Sequence, residues 1–151
     1  MILLAAIALA FAPVHPWPIG VGPRYHPPAN TLQCGTQGAR FAMHLELFAN
    51  RRVIIVPAGI CGNALRTSTP TGVVEVAAQR ATLGDLFRVW GQMLASRRLL
   101  SFRGTTLAFV DGRRRRGDPR GIRLTKHAQI VLEIGGYVPP HPSYLFPKGT
   151  P

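Results

Sequence analysis

The apolar positions change period along this chain, and the changes mark out its elements. In residues 43–49, Met43, Leu45, Leu47 and Ala49 fall on one side of a two-residue repeat, and His44, Glu46 and Phe48 fall on the other. Such alternation reads as a half-buried strand. Residues 52–57 read as its antiparallel partner, with Asn50 and Arg51 as a two-residue turn. Arg51 stands where glycine would suit a primed turn better, a local cost. Residues 58–71 hold Gly59, Gly62, Ser68 and Pro70 and read as a loop, followed by a strand over residues 73–78.

At residue 82 the repeat becomes helical. Leu83, Leu86, Phe87, Trp90 and Leu94 follow the spacing of one helix face, with Gly84, Arg88 and Gln92 off it. Thr82 is a good N-cap, and Asp85 stands where a capping-box acid belongs, near the positive end of the helix dipole. Gly91 suits a left-handed stop, which shortens the helix to residues 82–90. So short a helix is marginal alone and must lean on a sheet through Phe87 and Trp90. Trp90 therefore reads as core, with ligand stacking as the minor alternative.

Residues 99–103 read as a connector. Residues 105–110 form a strand, Asp111-Gly112 is a type I′ turn signal, and residues 113–116 start the return strand. Gly117-Asp118-Pro119 breaks that strand, residues 122–124 are a short one, and residues 129–134 are the last. The expected fold class is α+β: a β-grasp-like mixed sheet of about five strands, the final one beside the first, with one main helix packed on one face. The helix entry at residues 81–83 and the run at residues 124–130 look like equivalent points in ubiquitin-like sulfur carriers. That likeness is of fold only. Sulfur carriers are activated at a C-terminal Gly-Gly carboxylate, whereas here residues follow Gly135-Gly136 up to Pro151.

Proline divides the chain. Six of its 14 prolines fall within residues 13–28 and five within 139–151. The expected organisation is a signal peptide or truncated membrane anchor at 1–12, a Pro/Gly-rich linker at 13–39, the domain at 40–136 and a Pro-rich tail at 137–151. The tail, with Tyr137, Tyr144 and Phe146, is expected to pack back across the domain. Residues 2–12 are uncharged and apolar, too short for the about 20 residues of a membrane span but suited to a signal-peptide core. Nothing basic follows Met1, so either the start lies inside a longer anchor or the signal is atypical. Export is the expected localisation: periplasmic, secreted or membrane-anchored. His15 and His26 lie in the linker without partner spacing.

Two cysteines, Cys34 and Cys61, make one disulfide if the chain is exported and two buried thiols if it is not. As a disulfide they would tie the linker to the loop after the first hairpin, worth about 3 kcal/mol on the loop-entropy account.

The net charge is +12, and every basic residue except Lys126 and Lys148 is arginine. That balance favours anionic surfaces over specific nucleic-acid reading. Its focus is Arg113, Arg114, Arg115 and Arg116, with Arg120 and Arg123 nearby. On a strand, alternate arginines share a face, so about half of them make one stripe. The run is either a solvated edge whose charge discourages strand pairing or an anion-binding surface.

Val56-Pro57-Ala58-Gly59-Ile60, Gly72-Val73-Val74, the helix run from Thr82 to Gln92, Val110-Asp111-Gly112-Arg113, Gly117-Asp118-Pro119-Arg120 and Tyr144-Leu145-Phe146-Pro147 occur in order. Over residues 33–149 the chain resembles a family of uncharacterised bacterial exported or membrane-anchored proteins. In that family the first strand carries His-x-His-x-His-Leu, the loop carries Cys-x-x-x-Leu-His-Thr-His-Asp, and the next strand carries Gly-Val-Ile-His. The resemblance implies a histidine-rich site suited to a transition metal. Here only His44 remains on the first strand, with Arg40 and Ala42 at the other two places. Arg66, Ser68 and Thr69 replace the loop ligands, and Glu75 replaces the strand histidine. Arginine repels a metal ion. His44, Cys61 and Glu75 are the weak remainder of a ligand set, and no metal or other cofactor is expected. Cys34 and Cys61 are both kept, which fits a structural disulfide.

No catalytic residue is assigned. Of six acids, Asp111 and Asp118 lie in turns, and no nucleophile-elbow, phosphate-loop or dinucleotide motif occurs. The expectation is an exported, non-enzymatic binding or scaffold domain with a degenerate metal site. The alternatives are a copper- or zinc-binding periplasmic protein and a basic domain that meets anionic polymers or membrane surfaces through the arginine hairpin. The sequence identifies no partner; an anionic surface and another envelope protein are the candidates.

Overall fold

The computed structural model describes residues 38–140 and 143–151. The expected signal segment, His15, His26, Cys34 and nearly all of the linker lie outside the described residues. Eleven regular elements follow in order: β1 (Phe41–Ala49), β2 (Arg52–Ile54), β3 (Leu65–Arg66), β4 (Val73–Val76), α1 (Leu83–Trp90), β5 (Leu94–Ala95), β6 (Arg98–Leu99), β7 (Phe102–Arg103), β8 (Thr106–Val110), β9 (Arg113–Arg115) and β10 (Gln129–Ile134). A 3-10 turn, Pro119–Gly121, lies between β9 and β10. The fold is mixed and mostly sheet, with one α-helix. Among the described residues no helix is long and apolar enough to cross a membrane.

The main sheet runs β3-β4-β1-β10-β8-β9, and β2 also pairs with β1. β1 and β10 are parallel neighbours at its centre, with Leu45 opposite Ile130 and Leu47 opposite Leu132. Every other pairing in this sheet is antiparallel. All six residues of β10 are buried, as expected of a central strand covered on both faces.

One face is the core. Met43, Leu45 and Leu47 of β1, Val74 and Val76 of β4, and Ile130 and Leu132 of β10 meet Leu83, Leu86, Phe87 and Trp90 of α1. The rings of Phe87 and Trp90 lie 5.4 Å apart at 55°. Truncating either to alanine costs about 3–5 kcal/mol. The eight-residue helix is held at both ends. Thr82 N–H donates to Asp85 Oδ2 at 2.9 Å, and Asp85 N–H donates to Thr82 Oγ1 at 3.3 Å. Gly91 stops it in left-handed geometry at φ 70°. Gly84 is the point of close approach: a Cβ there would lie 3.1 Å from the Arg120 backbone oxygen, so glycine lets the 3-10 turn sit on the helix.

The other face is covered by the C-terminal segment. Phe48, Phe109 and Val131 form a second cluster with Leu107 and Val138 packed on it. Tyr137 leans on Phe109 at 6.0 Å, Tyr144 stacks on His44, and the Pro151 carbonyl accepts from Ala42 N–H at 3.0 Å. The tail thus packs back across the domain.

Several expectations are corrected. The main sheet has seven strands rather than about five; one of them, β3, lies in the expected loop over residues 58–71 and extends the β4 edge. The connector over residues 99–103 belongs to a second sheet, β5-β6-β7. Leu94, which continues the helical spacing past the Gly91 stop, lies in β5. β2 ends at Ile54 and β4 at Val76. Residues 122–124 form no strand; Arg123 makes a single bridge to Thr82. Two-residue strands carry no readable period, and they exist here only because a neighbour supplies their hydrogen bonds.

Candidate functional site

Two places concentrate the residues singled out by the sequence: the β4–β1–β10 part of the tail-covered face, and the β9 edge.

On the tail-covered face, register sets Ala42 opposite Glu75 and His44 opposite Val73, while Arg66 of β3 lies opposite Glu75. Arg66 Nε donates to Glu75 Oε2 at 2.5 Å, and the Ser68 hydroxyl donates to Oε1 at 2.7 Å. Burial raises the Glu75 carboxyl, but the hydrogen bonds from Ser68 and Arg66, with the Arg66 charge, outweigh it and leave the group below its usual value. Arg66, Ser68 and Glu75 are thereby joined as one ionic cluster.

His44 is buried and saturated. Nε2 donates to the Thr71 carbonyl at 2.7 Å, and Nδ1 lies 2.7 Å from the Gln129 side-chain amide. A neutral ring accepts at Nδ1 from that amide's NH2; an imidazolium donates to its oxygen. Glu46 Oε1 is 3.9 Å from Nδ1. The Tyr144 ring lies flat on the imidazole, with centroids 3.6 Å apart and planes at 7°. Gly72, at φ 81°, fits under this ring: a Cβ there would collide with the Leu45 carbonyl and lie 3.1 Å from His44 Nε2.

The weak ligand set His44, Cys61 and Glu75 is not assembled. His44 is engaged by Thr71, Gln129 and Tyr144, and Glu75 by Arg66 and Ser68. Cys61 sits in a bridge to Arg66 and is not a free thiol. Cys34, its expected partner, lies outside the described residues. Among the described residues no group of three or more His, Cys, Asp or Glu side chains is placed to hold a metal ion. A shallow depression beside the cluster, lined by Ala39, Gly62, Asn63, Ala64, Leu65, Arg66, Glu75 and Ala77, opens to solvent and encloses only about 10 Å³. That is room for about one water, far below the roughly 300–1,000 Å³ of pockets that enclose a small ligand.

The second place is the β9 edge. β9 is the outermost strand, paired on one side with β8. Arg113 lies opposite Val110 and Arg115 opposite Ala108, on the helix side; Arg114 lies opposite Phe109, on the tail side. All four arginines from Arg113 to Arg116 are exposed. None makes an ion pair with an acid among the described residues. Arg120 differs. Its Nη2 and Nε donate to Asp118 Oδ2 at 2.5 and 2.8 Å. The hydrogen bond from Arg120 holds the Asp118 carboxyl below its usual value. Arg123 is exposed beside the helix N-cap. The six expected anion-binding arginines therefore divide into four free ones on the edge, one neutralised and one at the helix entry.

The stack of Tyr144 on His44 and the depth of Glu133 were not read from the sequence. The alternation Gln129, Val131, Glu133 could have placed an acid on the same face as His44, but only if that face was known to be covered. Comparison with protein-family models, with curated proteins and with solved structures yields no match.

Proposed function

We propose that this chain is an exported, non-enzymatic binding domain that presents the edge of its sheet to an anionic surface. The observation that carries this reading is the β9 edge: four consecutive arginines, all exposed and none paired with an acid among the described residues. Uncompensated guanidinium groups on a chain of net charge +12 attract phosphate- or carboxylate-bearing surfaces. The parallel β1/β10 pair with a helix on one face supports the finer, β-grasp-like description of the fold. The Arg66–Glu75–Ser68 cluster and the saturated His44 support descent of this face from a ligand site of the family it resembles, refilled by internal contacts. A Cys34–Cys61 bridge belongs to the same proposal.

The test is binding of the full chain to vesicles containing anionic phospholipid. Affinity should fall steeply as salt rises. Replacing Arg113, Arg114, Arg115 and Arg116 together by glutamine should abolish most of it, whereas replacing Arg120, already held by Asp118, should change it little. Absent binding at low salt, or equal binding by the fourfold variant, would overturn the proposal. Tighter binding to duplex DNA than to the vesicles would move the partner to nucleic acid.

A further inference from the structure

Glu133 is an acid with no exposed surface. It sits in the central strand β10, and its neighbours straight across the sheet are Phe48 on β1 and Leu107 on β8. Both are apolar, and Val131, Phe109 and Val138 pack on the same face. One carboxylate oxygen, Oε2, accepts from Val138 N–H at 3.2 Å. The other, Oε1, has no partner among the described residues. The other ionisable groups on this face stand further along it. Glu46 and His44 lie two and four residues before Phe48 on β1, and Arg114 of β9 lies opposite Phe109. The Tyr137 phenol leans on Phe109, and the Arg51 stem packs where a Cβ of Gly136 would be. None of these donates a hydrogen bond to Glu133.

One amide N–H is too little for a buried carboxylate, which needs several donors or a cation; leaving part of a neutral carboxylic acid unpaired costs less. Burial accordingly pushes the Glu133 carboxyl above its usual range, and the Val138 N–H only partly offsets this. An ionised Glu133 gains water by the easiest opening available. β10 is hydrogen-bonded along both sides. The cover above it is the C-terminal segment, held near Glu133 by the Val138 contact and further on by Tyr144.

We propose that Glu133 is the latch of a C-terminal strap: with its carboxyl neutral the segment beginning at Tyr137 lies closed over the sheet, and with it ionised the Val138 end lifts. Lifting uncovers the Phe48–Phe109–Val131 patch on which Val138 packs. The sign follows from proton uptake. In the range between the usual carboxylate value and the raised one, the closed form holds a proton that the open form releases, so closure weakens as pH rises.

The test is amide hydrogen exchange on the full chain and on Glu133→Gln, from about pH 5 to about pH 9. In the native chain the protection factor at Val138 should fall by about tenfold per pH unit between the usual carboxylate value and the raised one, and level off above it. In Glu133→Gln it should stay level, because the amide oxygen still accepts from Val138 and carries no charge. Amides of β8 and β10 should stay protected in both, which identifies a local opening. An equal fall in both proteins, no fall in the native chain, or loss of β10 protection together with Val138 would overturn the latch. His44→Gln covers the case in which Glu133→Gln does not fold. It leaves Glu133 in place and should keep the pH response; loss of that response would assign it to His44 and overturn the proposal.

Discussion

The imidazole of His44 and the phenol ring of Tyr144 lie face to face, 3.6 Å between centroids and 7° from parallel. Through its nitrogens the same imidazole holds Thr71, in the loop before β4, and Gln129, at the start of β10. One ring therefore joins a loop, the central strand and the C-terminal segment. In this chain it is occupied as a structural junction.

Removing the stacked partner should loosen that junction. Tyr144→Ala is expected to lose about 1 kcal/mol of stacking beyond the area it buries, read as a lower midpoint in urea unfolding. Tyr144→Phe keeps the ring and should keep most of the stability. Equal midpoints for Tyr144→Ala and the native chain would show that the stack contributes nothing.

The Arg66–Glu75 pair makes stability depend on acid. The Glu75 carboxyl lies below its ordinary value of 4.5 in the folded chain. As pH falls from about that value, the unfolded chain takes up the proton first, so folding weakens until the folded-state carboxyl is protonated too. Above this window Glu75→Gln should be less stable than the native chain by roughly 1 kcal/mol, a figure kept low by the partial exposure of both side chains. Below it the two should converge. A gap that widens on acidification would contradict the pairing.

The helix ends should each show a cap-sized cost. Thr82→Ala removes the side chain that accepts from Asp85 N–H and is expected to cost about 1 kcal/mol. Gly91→Ala meets no atom within 4 Å of the new Cβ, so its cost is only the left-handed backbone, about 1–2 kcal/mol. Thermal unfolding of the two single variants and the double variant measures both. Near-additive losses would confirm that the two ends act separately.

These cases also show where sequence reading succeeds and where it stops. The capping box, the Gly91 stop, the Asn50-Arg51 turn at φ 51° and 62° and the Asp111-Gly112 turn at φ 51° and 73° were all legible, as was the last strand, residues 129–134. The Asp118–Arg120 fork is just as local, but residue types alone do not say whether Arg120 turns back to Asp118 or stands free with the arginines of β9. The short strands β3, β5, β6 and β7 had no signature, since two residues cannot display a period.

What the sequence determined by itself is what neighbours in the chain decide together: caps, turns, the apolar face of α1, the alternation of β1 and the concentration of arginine at β9. Backbone geometry and side-chain reach act there over a few residues, so the residue types suffice. The tertiary structure alone decided that the sheet's second face is covered, that His44 meets Gln129 85 residues away, and that Glu133 is fully buried. Those outcomes depend on which strands become neighbours and on where the C-terminal segment comes to rest, and burial is a property of the whole assembly rather than of any stretch within it.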